Sequence, residues 1–218
     1  IESGLHRMYG DNDDVYYYLT LYNENYVQPA MPEGSRQGII DGLYRFDAGP
    51  GGGDHAATIL FSGPSQGAAR AAQTALSHRF GVSAELWSAT SYKKLREEAL
   101  ETDRWNRLHP TLTRRVPFVT EQLNTSRGPI VAVTDYMRIV PDQIAPYVPR
   151  TFTSLGTDGF GRSDTREALR DFFETDMRHV VVATLALLAK EDAISPDVVS
   201  DAIAAYDIDP DVAAPWTR

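Results

Sequence analysis

The chain has no cysteine among its 218 residues. Disulfides, thiolate zinc sites and cysteine nucleophiles are therefore excluded. No run of apolar residues is long enough to cross a bilayer. The longest, Val180 to Ala189, is broken by Thr184 and falls well short of the roughly 20 residues a spanning helix needs, so it reads as a buried helix. Basic residues are in deficit, 21 against 30 acidic, for a formal net charge of −9. A chain of that sign without a basic block is a poor nucleic-acid ligand, because such binding rests on Lys and Arg neutralising phosphates. An anionic membrane surface repels it as well. The five histidines, His6, His55, His78, His109 and His179, include no pair at the i, i+4 spacing of a helical metal site, and no Gly-x-Ser-x-Gly elbow points to a serine hydrolase.

What remains is an ordinary globular composition, 42% hydrophobic and 23% charged, sufficient for a real core. Ile1, Leu5 and Met8 fall at helical spacing from the first residue, so the chain is expected to open inside a helix and inside a domain. Val15 to Leu21 is apolar or aromatic at nearly every position, the pattern of a strand covered on both faces. An irregular segment with Pro29, Pro32 and Gly34 follows. Gln37 to Leu43 reads as a short helix and Tyr44 to Phe46 as a strand, leading into the glycine run Ala48 to Asp54, a flexible hairpin-like loop.

Strands and helices then alternate. Strands are expected at Ala57–Phe61, Ala84–Trp87, Ile130–Thr134 and Phe152–Leu155. Helices are expected at Ser65–Arg79, Ser91–Leu108, Val116–Leu123, Ser163–Phe173 and Thr175–Lys190, with an interrupted helical stretch up to Tyr147. A final helix starts at Ser195-Pro196-Asp197, with serine as cap and proline in the first turn. Strands separated by helices of 10–15 residues define an α/β fold, a mainly parallel sheet flanked by helices.

Three segments carry candidate chemistry. In Asn23 to Gly34, Glu24 offers a carboxylate to a cofactor or substrate, and Asn23, Tyr26 and Gln28 offer hydrogen bonds to a carboxylate or carbonyl. Pro29 and Pro32 stiffen the segment, as preorganised donors require. A rigid inter-domain linker satisfying its own backbone is the equal alternative. In Gly156 to Arg166, a strand-to-helix turn carries three glycines, and Asp164 with Glu167 has the spacing of a capping box. A structural turn is favoured there over an anion site. In Ser62 to Gly67, a phosphate cradle would lack Lys or Arg, and an ordinary βα turn is favoured. Trp105 to Pro110 reads as packing plus a helix stop, and Arg114 and Arg115 beyond it as a solvated turn in preference to a face for an acidic partner.

Asn23 to Gly34 and Gly156 to Arg166, taken together, resemble the C-terminal part of the homodimeric bacterial pyruvate dehydrogenase E1 component, a thiamine-diphosphate enzyme of the transketolase type. Val82 to Tyr92, Trp105 to Pro110, Arg115 to Thr120 and Thr134 to Met137 extend the match in the same order over nearly the whole chain. The resemblance implies that residues 1–35 end a pyrimidine-binding domain, contributing its last helix and strand plus a linker. It implies that residues 36–218 form a transketolase C-terminal domain. It implies decarboxylation of a 2-oxo acid, pyruvate favoured, on thiamine diphosphate with Mg²⁺, and transfer of the acyl group to a lipoyl acceptor on an E2 component.

In the resembled enzymes the segment from Asn23 lines the mouth of the active site. Their pattern has histidine directly after Glu-Asn-Tyr, where this chain has Val27. Gln28 supplies a hydrogen bond there but no proton near neutral pH. Catalytic candidates are thus Glu24 and Gln28, and substrate-binding candidates Asn23, Tyr26 and Gln28. No Gly-Asp-Gly followed by Asn-Asn is present, so the cofactor and metal are expected to be held mainly by residues outside this chain. The implied assembly is dimeric and cytoplasmic. It includes the missing N-terminal part or a separate chain, and it is not active without it. The alternatives are a subunit of a split thiamine-diphosphate enzyme with another 2-oxo acid or acyl acceptor, and a non-catalytic module that stabilises a dimer.

Overall fold

The computed structural model describes every residue except Asn23, Glu24 and Tyr26. It comprises two compact units, Ile1–Met31 and Pro32–Arg218.

In the first unit, helix α1 (Glu2–Leu5) continues as a π-helical turn, His6–Gly10. The expected opening helix is therefore present. Gly4 lies under the Tyr17 ring, where a Cβ would come within 3.0 Å of it. Arg7 Nε donates to Asp13 at 2.7 Å and its Nη1 to the Tyr17 hydroxyl at 3.3 Å. The strand expected over Val15–Leu21 is not formed, and this segment has no regular secondary structure. A strand needs a neighbour for its backbone N–H and C=O groups, and no strand among the described residues pairs with it. Its side chains, expected to be covered on both faces, are open: Tyr16 is 88% exposed, Tyr18 85% and Leu21 89%.

The second unit is built on a five-stranded sheet among the described residues. Helix α2 (Arg36–Asp41) precedes β1 (Leu43–Asp47) and β2 (His55–Phe61). Helix α3 (Gln66–Phe80) then leads to β3 (Val82–Ala89), and α4 (Tyr92–Leu108) to α5 (Phe118–Asn124). Strand β4 (Ile130–Val133), the short α6 (Ile139–Asp142) and β5 (Phe152–Leu155) complete the sheet. Helices α7 (Arg166–Phe172), α8 (Met177–Lys190) and α9 (Pro196–Ala205) follow. The strand order is β1-β3-β2-β4-β5, parallel throughout except for β1 against β3.

The loop from Ala48 to Asp54 is accordingly no hairpin. β1 and β2 are separated by β3, and the loop must cross the amino end of that strand. Glycine is needed for the crossing. A Cβ on Gly49 would stand 2.6 Å from the Ala84 carbonyl oxygen, and one on Gly53 would stand 2.6 Å from that of Gly81.

Alternation along the strands divides the core into two layers. Ala57, Ile59, Phe61, Val82, Ala84, Leu86 and Val133 share one cluster with residues of α3, α8 and α9. Leu60, Trp87, Ala89, Ile130 and Ala132 share the other with residues of α4, α5 and Ile144. Both faces being covered, the sheet reads as near-continuous apolar runs rather than polar alternation. Of the two caps read from the sequence, Ser195 is observed and Asp164 is not; Ser91 and Asp176 cap their helices as well. Ser91, Asp176 and Ser195 accept from backbone N–H groups of Lys94, His179 and Asp197. Helix α7, however, is capped by Thr165, whose hydroxyl accepts from Ala168 N at 3.2 Å, and not by Asp164. Asp164 accepts instead from Thr165 N at 2.7 Å. The expected box is thus not formed: the cap falls one residue later, with Ala168 at the position a box would give to Glu or Gln, and Ser163 and Asp164 lie outside the helix.

Candidate functional site

In a sheet of this order the chain leaves β2 toward β3 on one side, and later leaves β4 toward β5 on the other. The carboxyl ends of β2 and β4 are therefore the topological switch point, where open α/β sheets place ligands. The residues there are Ser62 and Thr134, both buried, with hydroxyls 2.6 Å apart. Ser62 N donates to Val133 O, Thr134 N to Leu155 O, and Tyr136 N to the Thr134 hydroxyl. The hydroxyl pair and the two backbone bonds tie the ends of β2, β4 and β5 together, and the Tyr136 N–H turns the chain back onto Thr134. The turn from Ser62 to Gly67 behaves as an ordinary βα connection: Ser65 makes no side-chain cap to α3. Sequence reasoning missed the hydroxyl pair, because 72 residues separate its members.

The loop Gly156 to Arg166 is stitched to the segment after β4. Thr157 donates through its hydroxyl to Asp135 O at 2.8 Å and through its N–H to Tyr136 O at 2.9 Å. Arg138 N donates to an Asp158 carboxylate oxygen at 3.0 Å. Gly156 sits where a Cβ would meet the Tyr136 carbonyl oxygen at 2.6 Å. Gly159, at φ +101°, lies against the backbone of Trp216. Arg162 and Arg218 both stack on the Phe172 ring, at 4.2 and 4.5 Å. These contacts favour the structural reading of this motif, a turn fastening β5 to α7 and to the C-terminal segment. Phe160 at its tip is 90% exposed. Burial pushes the nearby Asp135 carboxyl above its ordinary range, while its own backbone N–H and Arg170 oppose the shift.

Of the candidates in the segment after Leu21, Asn23, Glu24 and Tyr26 lie outside the described residues. Gln28 is exposed, and Val27, at the position of the expected histidine, is 91% exposed. Pro32 accepts from the Ser35 hydroxyl at 2.7 Å, which fixes the start of the second unit.

Two charged clusters were not read from the sequence. Glu85 is buried in the middle of β3. Its Oε1 accepts from the Thr58 hydroxyl at 3.1 Å and from Arg127 N at 3.3 Å, and Arg45 reaches Oε2 at 4.0 Å. A lone acid inside the apolar strand Ala84–Trp87 was the available signal. The second cluster joins Asp171, Asp176 and His179, the one group of three His, Asp or Glu side chains among the described residues that lie close enough to share a metal ion. Arg178 already bridges it, at 2.5 Å from Asp171 and 2.6 Å from Asp176. Burial raises the Asp176 carboxyl, but hydrogen bonds from the His179 ring, the His179 backbone and Arg178 outweigh it and hold the group down at about 2. Asp176 is thus engaged by His179 at one oxygen and by the Arg178 guanidinium at the other, and the same guanidinium holds Asp171.

Trp87 Nε1 and Tyr92 OH are buried in one core layer without hydrogen-bond partners among the described residues. Burial pushes the Tyr92 phenol up, and Asp142 adds to the shift.

The strand order and the two helical layers describe an α/β domain with a mainly parallel sheet. The sequence profile of the transketolase-like TK C-terminal domain matches residues 42–176, and the chain belongs to that family. Over its whole length it is similar to curated proteins named pyruvate dehydrogenase E1 component. The protein from Pseudomonas aeruginosa is 44% identical over 97% of this chain and 24% of its own length. That from Escherichia coli K12 is 44% identical over 99% of this chain and 24% of its own. The chain thus spans about a quarter of the length of these relatives. Among solved structures, transketolase from Leishmania mexicana aligns with a TM-score of 0.48 at 20% identity, over 71% of this chain and 19% of that one. No helix among the described residues is long and apolar enough to cross a membrane.

Proposed function

We propose that this chain is the C-terminal portion, or a separately encoded C-terminal subunit, of a pyruvate-dehydrogenase-E1-like enzyme. The assembly decarboxylates a 2-oxo acid, pyruvate favoured, on thiamine diphosphate with Mg²⁺ and passes the acyl group to a lipoyl acceptor. The observation that carries this reading is the 44% identity to E1 components across 97–99% of the chain, set against coverage of only 24% of their length.

Residues 1–35 are read as the end of a pyrimidine-binding domain and 36–218 as the C-terminal domain. Glu24 and Gln28 are the proposed catalytic contributors, and Asn23, Tyr26 and Gln28 the substrate contacts. The open aromatic surface of Tyr16, Tyr18 and Leu21 supports a first unit that is completed by other polypeptide, because exposed apolar patches of this kind mark interfaces. The completed assembly is dimeric and cytoplasmic, with an E2 component as its acyl acceptor, and it uses neither nucleic acid nor membrane.

The described residues do not fit the cofactor by themselves. Mg²⁺ with a diphosphate needs free carboxylate or carbonyl oxygens, and the one candidate group, Asp171 with Asp176 and His179, holds Arg178 instead. The turn Ser62 to Gly67 offers no Lys or Arg to the phosphates. The cofactor is therefore assigned to residues elsewhere in the assembly, and this chain is read as inactive alone.

Native mass spectrometry with Mg²⁺ and thiamine diphosphate tests the reading. Cofactor retained only when a second polypeptide carrying the remaining domains is present supports it. Cofactor uptake or pyruvate turnover by this chain alone would overturn it. Val27 in place of histidine keeps a second reading in view, a split enzyme acting on another 2-oxo acid. Product analysis across several 2-oxo acids separates the two.

A further inference from the structure

Although the chain is acidic overall, no Asp or Glu occurs from Arg104 to Thr120, and four arginines do: Arg104, Arg107, Arg114 and Arg115. All four are exposed, and none forms an ion pair with a carboxylate among the described residues. Between them, every residue from Arg107 to Val116 is exposed, including Leu108 at 55%, Leu112 at 54% and Val116 at 55%. The acid nearest in sequence, Asp103, accepts instead from the Tyr147 hydroxyl at 3.0 Å.

The arm is also held in place. Asn106 binds the Arg115 backbone through both ends of its amide: its Nδ2 donates to Arg115 O at 2.9 Å, and its Oδ1 accepts from Arg115 N at 2.8 Å. The Arg115 guanidinium lies over the Trp105 ring at 3.9 Å, and His109 stacks on the same ring at 4.5 Å. Beyond the arm, Phe118 N donates to Glu98 at 2.8 Å. An exposed segment pinned in this way loses little further freedom on binding.

We propose that the arm Arg104–Val116 docks an extended acidic segment of another protein, one that also carries apolar side chains. Its carboxylates would pair with Arg107 and Arg114, and its apolar residues would cover Leu108, Leu112 and Val116. Charge complementarity selects the occupant. A single-stranded nucleic acid meets the same positive charge but needs an open aromatic face for its bases. The Trp105 ring is already stacked by Arg115 and His109, and the exposed leucines offer nothing to a phosphate.

Fluorescence anisotropy tests the assignment. The probes are a labelled twelve-residue peptide of alternating Glu and Leu, a Lys/Leu peptide of the same length, and a labelled twelve-nucleotide single strand. The expected result is binding of the Glu/Leu peptide that weakens at least about tenfold in the R107E/R114E double variant and several-fold on raising salt from about 50 to about 200 mM, since exposed charges lose their reach as the screening length shortens. The variant Asn106→Ala, which keeps every charge but releases the arm, weakens it less. The double variant lies outside the Trp105 stack, and unchanged thermal unfolding confirms that it folds. Failure to bind the Glu/Leu peptide, equal affinity in the double variant, or equal affinity for the Lys/Leu peptide overturns the proposal. So does a single strand that binds more tightly than the acidic peptide and is lost in the double variant, which would make the arm a nucleic-acid surface.

Discussion

Gly51 and Gly128 hold nearly the same backbone conformation, φ +68° and +65°, in opposite surroundings. An alanine at either position meets the left-handed penalty, roughly 1–2 kcal/mol. At Gly51 nothing stands within 4 Å of the added Cβ, so that penalty is the whole expected cost of Gly51→Ala. At Gly128 the Cβ would fall 1.8 Å from the Ala56 carbonyl oxygen and 2.6 Å from its carbon. Both neighbours are backbone at the start of the central strand β2 and cannot swing aside. Relief requires the turn before β4 to withdraw by more than 1 Å, given ordinary carbon–oxygen contacts of about 3.3 Å. That movement pulls on the bond from Thr58 N to Pro129 O, at 2.9 Å, and on the adjoining β2–β4 register. Overpacking typically costs about 1–3 kcal/mol, and loss of a buried backbone bond adds about 1–3 kcal/mol. Gly128→Ala is thus expected to destabilise by roughly 3–8 kcal/mol, a large share of the roughly 5–15 kcal/mol that holds an ordinary domain folded. Urea unfolding of the two variants beside the parent chain reads the difference, with shared conformational strain cancelling. Two midpoints within about 1 kcal/mol of each other would refute the steric account.

Three further outcomes follow from the same geometry. Glu85→Ala removes the acceptor for the Thr58 hydroxyl and Arg127 N and should cost about 2–3 kcal/mol in chemical denaturation, whereas Glu85→Gln keeps one acceptor and should cost about 1 kcal/mol; equal costs would show that the oxygen retained in glutamine, the acceptor for both donors, contributes nothing. Asp176, held at about 2 against an ordinary 3.8, has a depressed folded-state value, so its contribution is fully present above pH 4 and is lost as pH falls through 2, amounting to about 2 kcal/mol. The parent should therefore lose that much more stability than Asp176→Asn between pH 5 and 2, and parallel pH profiles would contradict the assignment. Ser195→Ala deletes the cap on α9, where Asp197 N donates at 3.2 Å and the Ser195 hydroxyl donates to the Asp197 carboxylate, and should lower stability by about 1 kcal/mol, restored in large part by Ser195→Thr, which keeps the hydroxyl.

Much of the second unit was legible along the chain. The glycine and proline punctuation, the Ser195 cap and the largely apolar strands are local properties: a capping hydroxyl acts within three residues, and a strand buried on both faces is apolar at most positions. These features set the order of helices and strands and the mainly parallel sheet. The family resemblance rested on the same linear information.

Tertiary structure decided what depends on distant neighbours. Sequence alone did not reveal that β1 lies outside β3, because a glycine-rich loop between two strands suggests a hairpin until the crossing over Ala84 and Gly81 is known. The Ser62–Thr134 pair, the Glu85 clamp and the Arg178 bridge each join groups whose chemistry is ordinary in isolation and acquires meaning only from what folding places beside them. The reverse holds for Val15–Leu21. Its composition demands burial as a strand, but composition supplies no partner for its backbone, and without one among the described residues the segment stays open. Local sequence thus determined which elements can form, whereas pairing, burial and charge compensation were decided by contacts between residues far apart in the chain.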